Sequence, residues 1–286
     1  ITNIDENTGK LFQNLEELKL LDNTLVIFFV DNGPNGSRYV AGMRGKKTEV
    51  YEGGIRSPLF LHWPNKLNQS MISDKISAHI DIFPTILDAC DIEYPVSNKI
   101  DGVSILPLLT EDNVSWPDRH IVLQSHRGNV PKIYHNFAIR NQNWKLLHSS
   151  GFLNENFEGN PNFELYDMIN DNFELKNVAS SKPEIVNELK QAYEKWFKDV
   201  SQSRLDNYAP MHIHIGTDYE NPVVLTRQDW RQIDKNPWLD DATGYWLLYS
   251  DAPNLYDIQV RFRNQNSNGK VILEIDGRLY SKSILS

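Results

Sequence analysis

The feature that most constrains this chain is a continuous apolar run, Thr24–Val30, that ends directly in Asp31, Asn32 and Gly33. A β-branched and aromatic run without polar alternation predicts a strand that is covered on both faces, as in a parallel sheet. Apolar residues at helical spacing precede it, at Ile4, Thr8, Leu11, Leu15 and Leu18. A helix, a short turn and a buried strand in this order predict an α/β fold.

The two polar residues at the end of this strand are candidate metal ligands. In open α/β sheets, ligands bind outside the carboxyl ends of strands, where the chain places Asp31 and Asn32. A carboxylate and an amide oxygen suit calcium or magnesium better than zinc. The alternative is an ordinary turn, because Asp31–Pro34 has typical turn composition.

Composition excludes several classes of function. The chain has 286 residues and a formal net charge of −9, which disfavours a nucleic-acid partner. No apolar run approaches the length of a membrane span. The single cysteine, Cys90, excludes an intrachain disulfide framework.

The second half of the chain predicts two further parts. Residues 119–205 contain four short strand-like runs, followed by a helix that begins at Pro183. Residues 206–286 contain alternating segments such as Tyr256–Arg263 and Val271–Ile275, which predict an accessory β-sandwich-like module. Its tryptophans, Trp230, Trp238 and Trp246, are candidates for stacking on sugar rings, although such residues more often belong to a core.

Five segments, in order, resemble the sulfatases of the alkaline-phosphatase superfamily. The resemblance extends from residue 1 to roughly residue 200; each segment is weak alone, and the five in the correct order are strong. The segments are Asp31–Gly33, Gly45–Lys47 leading to Tyr51–Pro58, His79–Leu87, Asp101–Leu109 and Glu164–Asp167.

The resemblance implies specific roles for three residues. Asp31 and Asn32 correspond to an Asp-Asn pair that binds calcium, and Lys47, four residues before Tyr51, corresponds to the lysine that contacts the sulfate. The chemistry agrees, since an ammonium group is a compact donor that neutralises charge on a sulfuryl oxygen. Glu52 is expected to form a buried structural pair with Arg56.

The family's nucleophile motif is not found at its usual place, before Asp31 and Asn32. Sulfatases convert the cysteine or serine of a Cys/Ser-x-Pro-x-Arg motif, which precedes the Asp-Asn pair in the family, into formylglycine. Neither the proline nor the arginine follows Cys90, and the one serine in this pattern, Ser115 of Ser115–Arg119, lies after Asp31 and Asn32. The resemblance therefore implies that formylglycine lies in an N-terminal part before residue 1. The fold expected is the C-terminal portion of an alkaline-phosphatase-like sandwich, inactive by itself. Residues 1–118 belong to the catalytic domain and 119–205 form a small antiparallel α+β subdomain.

Three further residues are candidates for binding an anionic or hydroxyl-rich substrate. Arg38 lies in the loop after Asp31–Gly33, and His126 and Arg127 directly follow a predicted strand. The alternative for each is a solvated loop. The expected partner is a sulfated small molecule or saccharide, and the expected location is the periplasm or the outside of the cell.

Two other functions remain open at this point. A phosphodiesterase or phosphoryl transferase of the same superfamily would share the sheet and a metal at the strand end. A non-catalytic carbohydrate-binding protein would explain the missing nucleophile. The segment Lys47–Gly54 favours the sulfatase.

Overall fold

The structure is a computed structural model. It describes residues 1–36, 39–67, 71–94, 99–111, 114–126, 130–151, 157, 160–202, 211–232, 244–251, 255–261 and 269–284. The chain divides into two compact units, Ile1–Pro210 and Met211–Ser286. The first unit begins with helix α1 (Thr2–Glu17), a 3-10 turn (Leu21–Asn23) and strand β1 (Val26–Phe29).

The environment of β1 differs from the sequence prediction. The strand pairs antiparallel with β2 (Leu59–His62), with Phe28 opposite Phe60, and is not part of a parallel sheet. Nor are both faces of β1 fully covered among the described residues, since the adjacent Phe28 and Phe29, which point to opposite faces, are 39% and 47% exposed. The physical reason is that an apolar run reports a preference for burial, whereas burial itself requires other elements to pack on the strand.

A buried aspartate, Asp81, explains two of the motif segments structurally. Its carboxylate accepts hydrogen bonds from the backbone amides of Ala78 (2.8 Å) and Val103 (2.9 Å) and from Nη1 of Arg119 (2.8 Å). A side chain at Gly102 would overlap the carbonyl oxygen of Ile80. The Asp-Gly segment is therefore fastened to the start of helix α3 (Ile82–Ala89), and helix α4 (Pro107–Thr110) follows.

The core of the first unit is a four-stranded antiparallel sheet with a long helix on one face. The strands lie in the order β3-β4-β5-β6 and comprise Ile121–Gln124, Phe137–Arg140, Trp144–His148 and Glu164–Asp167. Helix α5 (Pro183–Ser201) packs on this sheet through Leu189 and Tyr193, both fully buried. The ring of Tyr193 stacks on Phe137 at 3.9 Å between centroids. The predicted antiparallel sheet with its helix is present.

The opposite face of the same sheet carries the segment that contains the candidate site. Ala138, Leu147 and Tyr166 alternate with the residues that face α5, and they pack against Val50 and Tyr51. Both faces of these strands are therefore covered. Helix α2 (Glu52–Ile55) begins directly after Tyr51, so the sheet fixes the start of that helix.

A buried ion cluster reinforces this contact. The ammonium of Lys145, fully buried on β5, lies 3.0 Å from Oε1 of Glu52 and 2.6 Å from Oε1 of Glu174. Nη1 of Arg140 lies 3.2 Å from both carboxylate oxygens of Glu52. The predicted partner Arg56 is exposed and adds only a longer-range attraction, whereas the direct ion pairs of Glu52 are with Arg140 and Lys145 of the sheet.

The two carboxyl groups of this cluster respond to burial differently. Burial alone would raise the pKa of Glu52, but Lys145 and Arg140 outweigh it and lower that pKa. Burial raises the pKa of Glu174, because the single ammonium of Lys145 does not compensate for the loss of solvent. Glu174 also accepts a hydrogen bond from the backbone amide of Glu52 at 2.7 Å.

The second unit contains strands that pair two by two in its described residues. β7 (Ile213–Ile215) pairs with β10 (Leu248–Ser250), β8 (Arg231–Gln232) with β9 (Gly244–Tyr245), and β11 (Gly269–Ile275) with β12 (Arg278–Ile284). The last hairpin turns at Asp276 and Gly277, both with positive φ. Trp230 and Trp246 pack edge to face at 5.6 Å, and Trp238 lies outside the described residues.

One predicted strand of this unit is not observed. Residues 255–261 have no regular secondary structure, and Ile258 and Val260 are 54% and 46% exposed. Alternation alone did not determine a strand here, because a strand also needs a neighbour for its backbone hydrogen bonds. Across the described residues of both units, no helix combines the length and apolar character that crossing a membrane requires.

We expect Leu189→Ala to lower the free energy of unfolding by about 2–5 kcal/mol, because it leaves a cavity between α5 and the sheet. Urea unfolding followed by tryptophan fluorescence measures the change. Leu175→Ala is the matched control, since Leu175 is 81% exposed. Its effect should stay within about 0.5 kcal/mol. Equal effects of the two substitutions would contradict the assigned core.

We expect Lys145→Met to destabilise the protein by about 3–5 kcal/mol, because two buried carboxylates lose their shared cation. The control is Lys190→Met on α5, which removes a partly exposed i,i+4 pair with Glu194 and should cost less than about 0.5 kcal/mol. Urea midpoints of both variants test this difference. An unchanged urea midpoint in Lys145→Met would show that the cluster does not hold the sheet to α2.

Candidate functional site

The Asp-Asn-Gly turn follows β1 directly. Asp31 is exposed and Asn32 is half-buried, whereas Gly33 is buried. The amide of Gly33 donates to the carbonyl oxygen of Gly54 at 2.8 Å. A side chain at Gly33 would overlap the carbonyl oxygen of Gly53, so only glycine allows the turn to approach this closely.

Lys47 lies beside the same turn through its backbone. Its amide donates to the carbonyl oxygen of Pro34 at 3.0 Å, two residues after Asn32. A side chain at Gly54 would overlap the carbonyl oxygens of Lys46 and Glu49, and the amide of Gly53 donates to the carbonyl oxygen of Arg44 at 2.6 Å. The segments 33–34, 44–49 and 53–54 therefore pack backbone against backbone.

His126 is connected to this region through its neighbour Ser125. It follows β3, is half-buried, and its ring lies 5.9 Å from the ring of His135. The side-chain amide of Asn136 donates to the carbonyl oxygens of both Ser125 (2.8 Å) and Thr48 (3.1 Å). One side-chain amide thus binds both Ser125, which precedes His126, and Thr48, which follows Lys47. The other predicted substrate-binding residues, Arg38 and Arg127, lie outside the described residues.

An arginine and two tyrosines form a cluster that the sequence prediction missed. The guanidinium of Arg44 donates to the hydroxyls of Tyr51 (2.9 Å) and Tyr166 (2.8 Å) and forms an ion pair with Glu164 at 3.2 Å. Both tyrosine hydroxyls also donate to Glu164. The sequence signal for this cluster was the spacing of Glu164 and Tyr166, because residues two apart on a strand lie on the same face.

The protonation of these tyrosines is fixed by their surroundings. Burial, together with the hydrogen bond to Glu164, raises the pKa of Tyr51 to about 12. The same causes raise the pKa of Tyr166. Both phenols therefore stay neutral and serve as donors near neutral pH. Through Arg44, these groups attach the segment after Gly42 to β6. Lys47 lies in the same segment, three residues after Arg44.

The side chains in this region carry groups of the types that bind cations and anions. Asp31 and Asn32 offer hard oxygen donors, and Lys47 offers an ammonium on an adjacent backbone. Within the part of the chain that the structure describes, no three His, Cys, Asp or Glu side chains come together as a metal site. The two oxygen donors alone therefore do not complete a coordination shell.

Comparison with known proteins identifies the chain's relatives. A family model described as N-sulphoglucosamine sulphohydrolase, C-terminal, matches residues 44–199. The uncharacterized sulfatase YdeN of Escherichia coli is 30% identical over 236 residues, covering 72% of this chain and 40% of YdeN. An N-acetylglucosamine-6-O-sulfatase of Bacteroides thetaiotaomicron is 30% identical over 207 residues, covering 68% of this chain and 34% of that protein.

A solved structure gives the same result for the fold. A protein crystallised with its substrate D-glucosamine-2-N,6-O-disulfate superposes with a TM-score of 0.52 at 27% identity, covering 71% of this chain and 40% of that one. The α/β class expected from the sequence is confirmed by such neighbours. The chain spans less than half the length of the relatives that it matches. Because the family model covers more than half of its residues, this chain belongs to the sulfatases, in the family defined by the C-terminal part of N-sulphoglucosamine sulphohydrolase.

Proposed function

We propose that the intact protein is a sulfatase that hydrolyses a sulfate monoester of a carbohydrate. This chain contributes one side of the active site, where a cation and the sulfate group are bound. The observation that carries the proposal is the backbone contact between Lys47 and the turn after β1, which bears Asp31 and Asn32. Membership of the sulfatase family supports it independently.

Asp31 and Asn32 are proposed to bind calcium through their side-chain oxygens. The donor types fit, because calcium takes oxygen ligands, and the exposed position of Asp31 leaves its carboxylate accessible. Calcium needs about six to eight such ligands, so Asp31 and Asn32 are proposed to supply part of a larger set. When bound, calcium supplies Lewis-acid stabilisation of the sulfate group.

Lys47 is proposed to hold the sulfate oxygens and to neutralise the charge that develops on them. The nucleophile, formylglycine, is proposed to lie in the N-terminal part of the intact protein, because the family's Cys/Ser-x-Pro-x-Arg motif precedes the Asp-Asn pair. The one sequence of this form in the chain, Ser115–Arg119, follows that pair, and its Arg119 is bound to the buried Asp81 at 2.8 Å. His126, together with Arg38 and Arg127, is proposed to contact the saccharide around the sulfate. The position of His126 next to the segment that Asn136 holds supports its part in this set.

A sulfated saccharide is the substrate class that the relatives favour. One related protein is named an N-acetylglucosamine-6-O-sulfatase, and another was solved with D-glucosamine-2-N,6-O-disulfate as its substrate. Polymeric glycans are encountered outside the cytoplasm, so we place the intact protein in the periplasm or outside the cell. The relatives support neither the phosphodiesterase nor the non-catalytic alternative. The three-part division at residues 118 and 205 stays a proposal.

In the intact enzyme, Lys47→Ala should lower kcat/KM for a sulfated saccharide about 10²–10³-fold, because one charged donor to the sulfuryl oxygens is lost. Lys46→Ala is the matched control, since Lys46 is the neighbouring exposed lysine and should retain activity. The urea midpoints of both variants should equal that of the unmodified protein. Full activity of Lys47→Ala would remove the lysine from the proposed site.

Asp31→Ala should weaken calcium binding by the intact enzyme at least about tenfold, because calcium affinity follows the number of charged ligands. Isothermal titration with calcium gives the dissociation constant directly, without reference to activity. Asp22→Ala provides the comparison, since Asp22 lies before β1 in the 3-10 turn. Unchanged calcium affinity in Asp31→Ala would refute the metal assignment.

A further inference from the structure

We propose that Asn136 is a positioning residue for Lys47. Resting on the proposed function, the inference concerns how the ammonium is directed towards its anion. The side-chain amide of Asn136 donates to the carbonyl oxygens of Thr48 and Ser125. Asn136 itself is fully buried at the start of β4. One rigid amide thus connects the lysine segment to the central sheet.

The backbone of Thr48 is what requires this connection. Thr48 has φ +76°, in the left-handed region that a β-branched residue rarely adopts. Such a conformation persists only where neighbouring groups over-determine it. Two hydrogen bonds hold the chain on either side of the strained φ dihedral of Thr48. One runs from Asn136 to the carbonyl oxygen of Thr48, and the other runs from the amide of Lys47 to the carbonyl oxygen of Pro34. Release of either would let Thr48 relax and turn Lys47 away.

Asn136 is suited to this role by its donors. Its two amide hydrogens reach two carbonyl oxygens, so a flipped amide would place an oxygen against both. Its Oδ1 is buried and has no hydrogen-bond partner among the described residues. A buried acceptor without a partner is unfavourable, which indicates that the position is occupied for the donor side of the amide.

The backbone of Asn136 completes the connection. Its φ is +41°, which asparagine tolerates better than most residues. Its amide donates to Oγ of Ser150 at 2.8 Å, and its carbonyl accepts from the amide of Ser125 at 3.1 Å. Asn136 is therefore fixed by the sheet through its main chain, and it transmits that rigidity to Thr48 through its side chain.

The test uses Asn136→Asp, which keeps size and backbone preference but removes both donors. Asn141→Asp is the matched control: Oδ1 of Asn141 accepts from the amides of Asn143 and Trp144, and a carboxylate preserves both bonds. The readout is trace acetylation of lysines in the full chain, quantified by mass spectrometry, with and without inorganic sulfate. Lys46 serves as the internal reference.

At a sulfate concentration about ten times the dissociation constant, labelling of Lys47 should fall about tenfold in the unmodified chain and in Asn141→Asp. In Asn136→Asp, this protection should decline to the level of Lys46. Undiminished protection of Lys47 in Asn136→Asp overturns the proposal.

A second measurement separates this inference from the sulfatase assignment. Glycine adopts the left-handed conformation without strain, so Thr48→Gly should reduce the loss of urea midpoint caused by Asn136→Asp. The same loss in both backgrounds overturns the positioning role, whatever the sulfate result. Absence of sulfate protection at Lys47 in the unmodified chain, together with coupling between Thr48 and Asn136, would instead refute the anion role of Lys47 while retaining the positioning inference.

Discussion

Close backbone packing at three glycines is the constraint on which the candidate site depends. Gly33, Gly53 and Gly54 each lie where another segment passes too near for a side chain. The contact joins the turn after β1 to the lysine segment without any intervening side chain. Backbone contacts of this kind leave little freedom, and they bring Lys47 to within 3.0 Å of Pro34, three residues after Asp31, measured from amide nitrogen to carbonyl oxygen.

This contact is rigid because the segment that makes it packs on one face of the four-stranded sheet. Val50 and Tyr51 pack on the face of β4–β6 that is opposite α5, and Lys145 fixes the start of α2 through Glu52. Arg44 is bound to Glu164 on β6, and Thr48 is bound to Asn136 at the start of β4. The small antiparallel sheet, which has a helix on its other face, thus supports the segment from Arg44 to Gly54 and also forms the core of the unit.

Burial separates the charged groups that stabilise the fold from those that remain available to a ligand. Lys145, Glu52 and Glu174 are buried and bind one another, so their charges serve the fold. Lys46, Lys47 and Asp31 are exposed, so their charges remain available to a ligand. A buried ammonium without carboxylates would cost several kcal/mol, whereas an exposed one costs little. The proposed sulfate site therefore uses the exposed set and depends on the buried set for its shape.

The sequence by itself determined the local elements and the family. Strands β3 and β5 and helix α5 occur where periodicity and a proline predicted them, because these signals are local. The motif order predicted Asp31, Asn32 and Lys47 as one site, and their side-chain roles remain a prediction.

Only the tertiary structure decided which residues meet across long separations. Glu52 binds Lys145 and Arg140 instead of Arg56, β1 pairs antiparallel with an exposed β2, and Asn136 reaches Thr48 from 88 positions away. Tyr256–Arg263 has strand-like alternation, yet residues 255–261 form no strand. Partner choice depends on how elements pack, and a pattern along the chain carries no information about the distance between its distant parts.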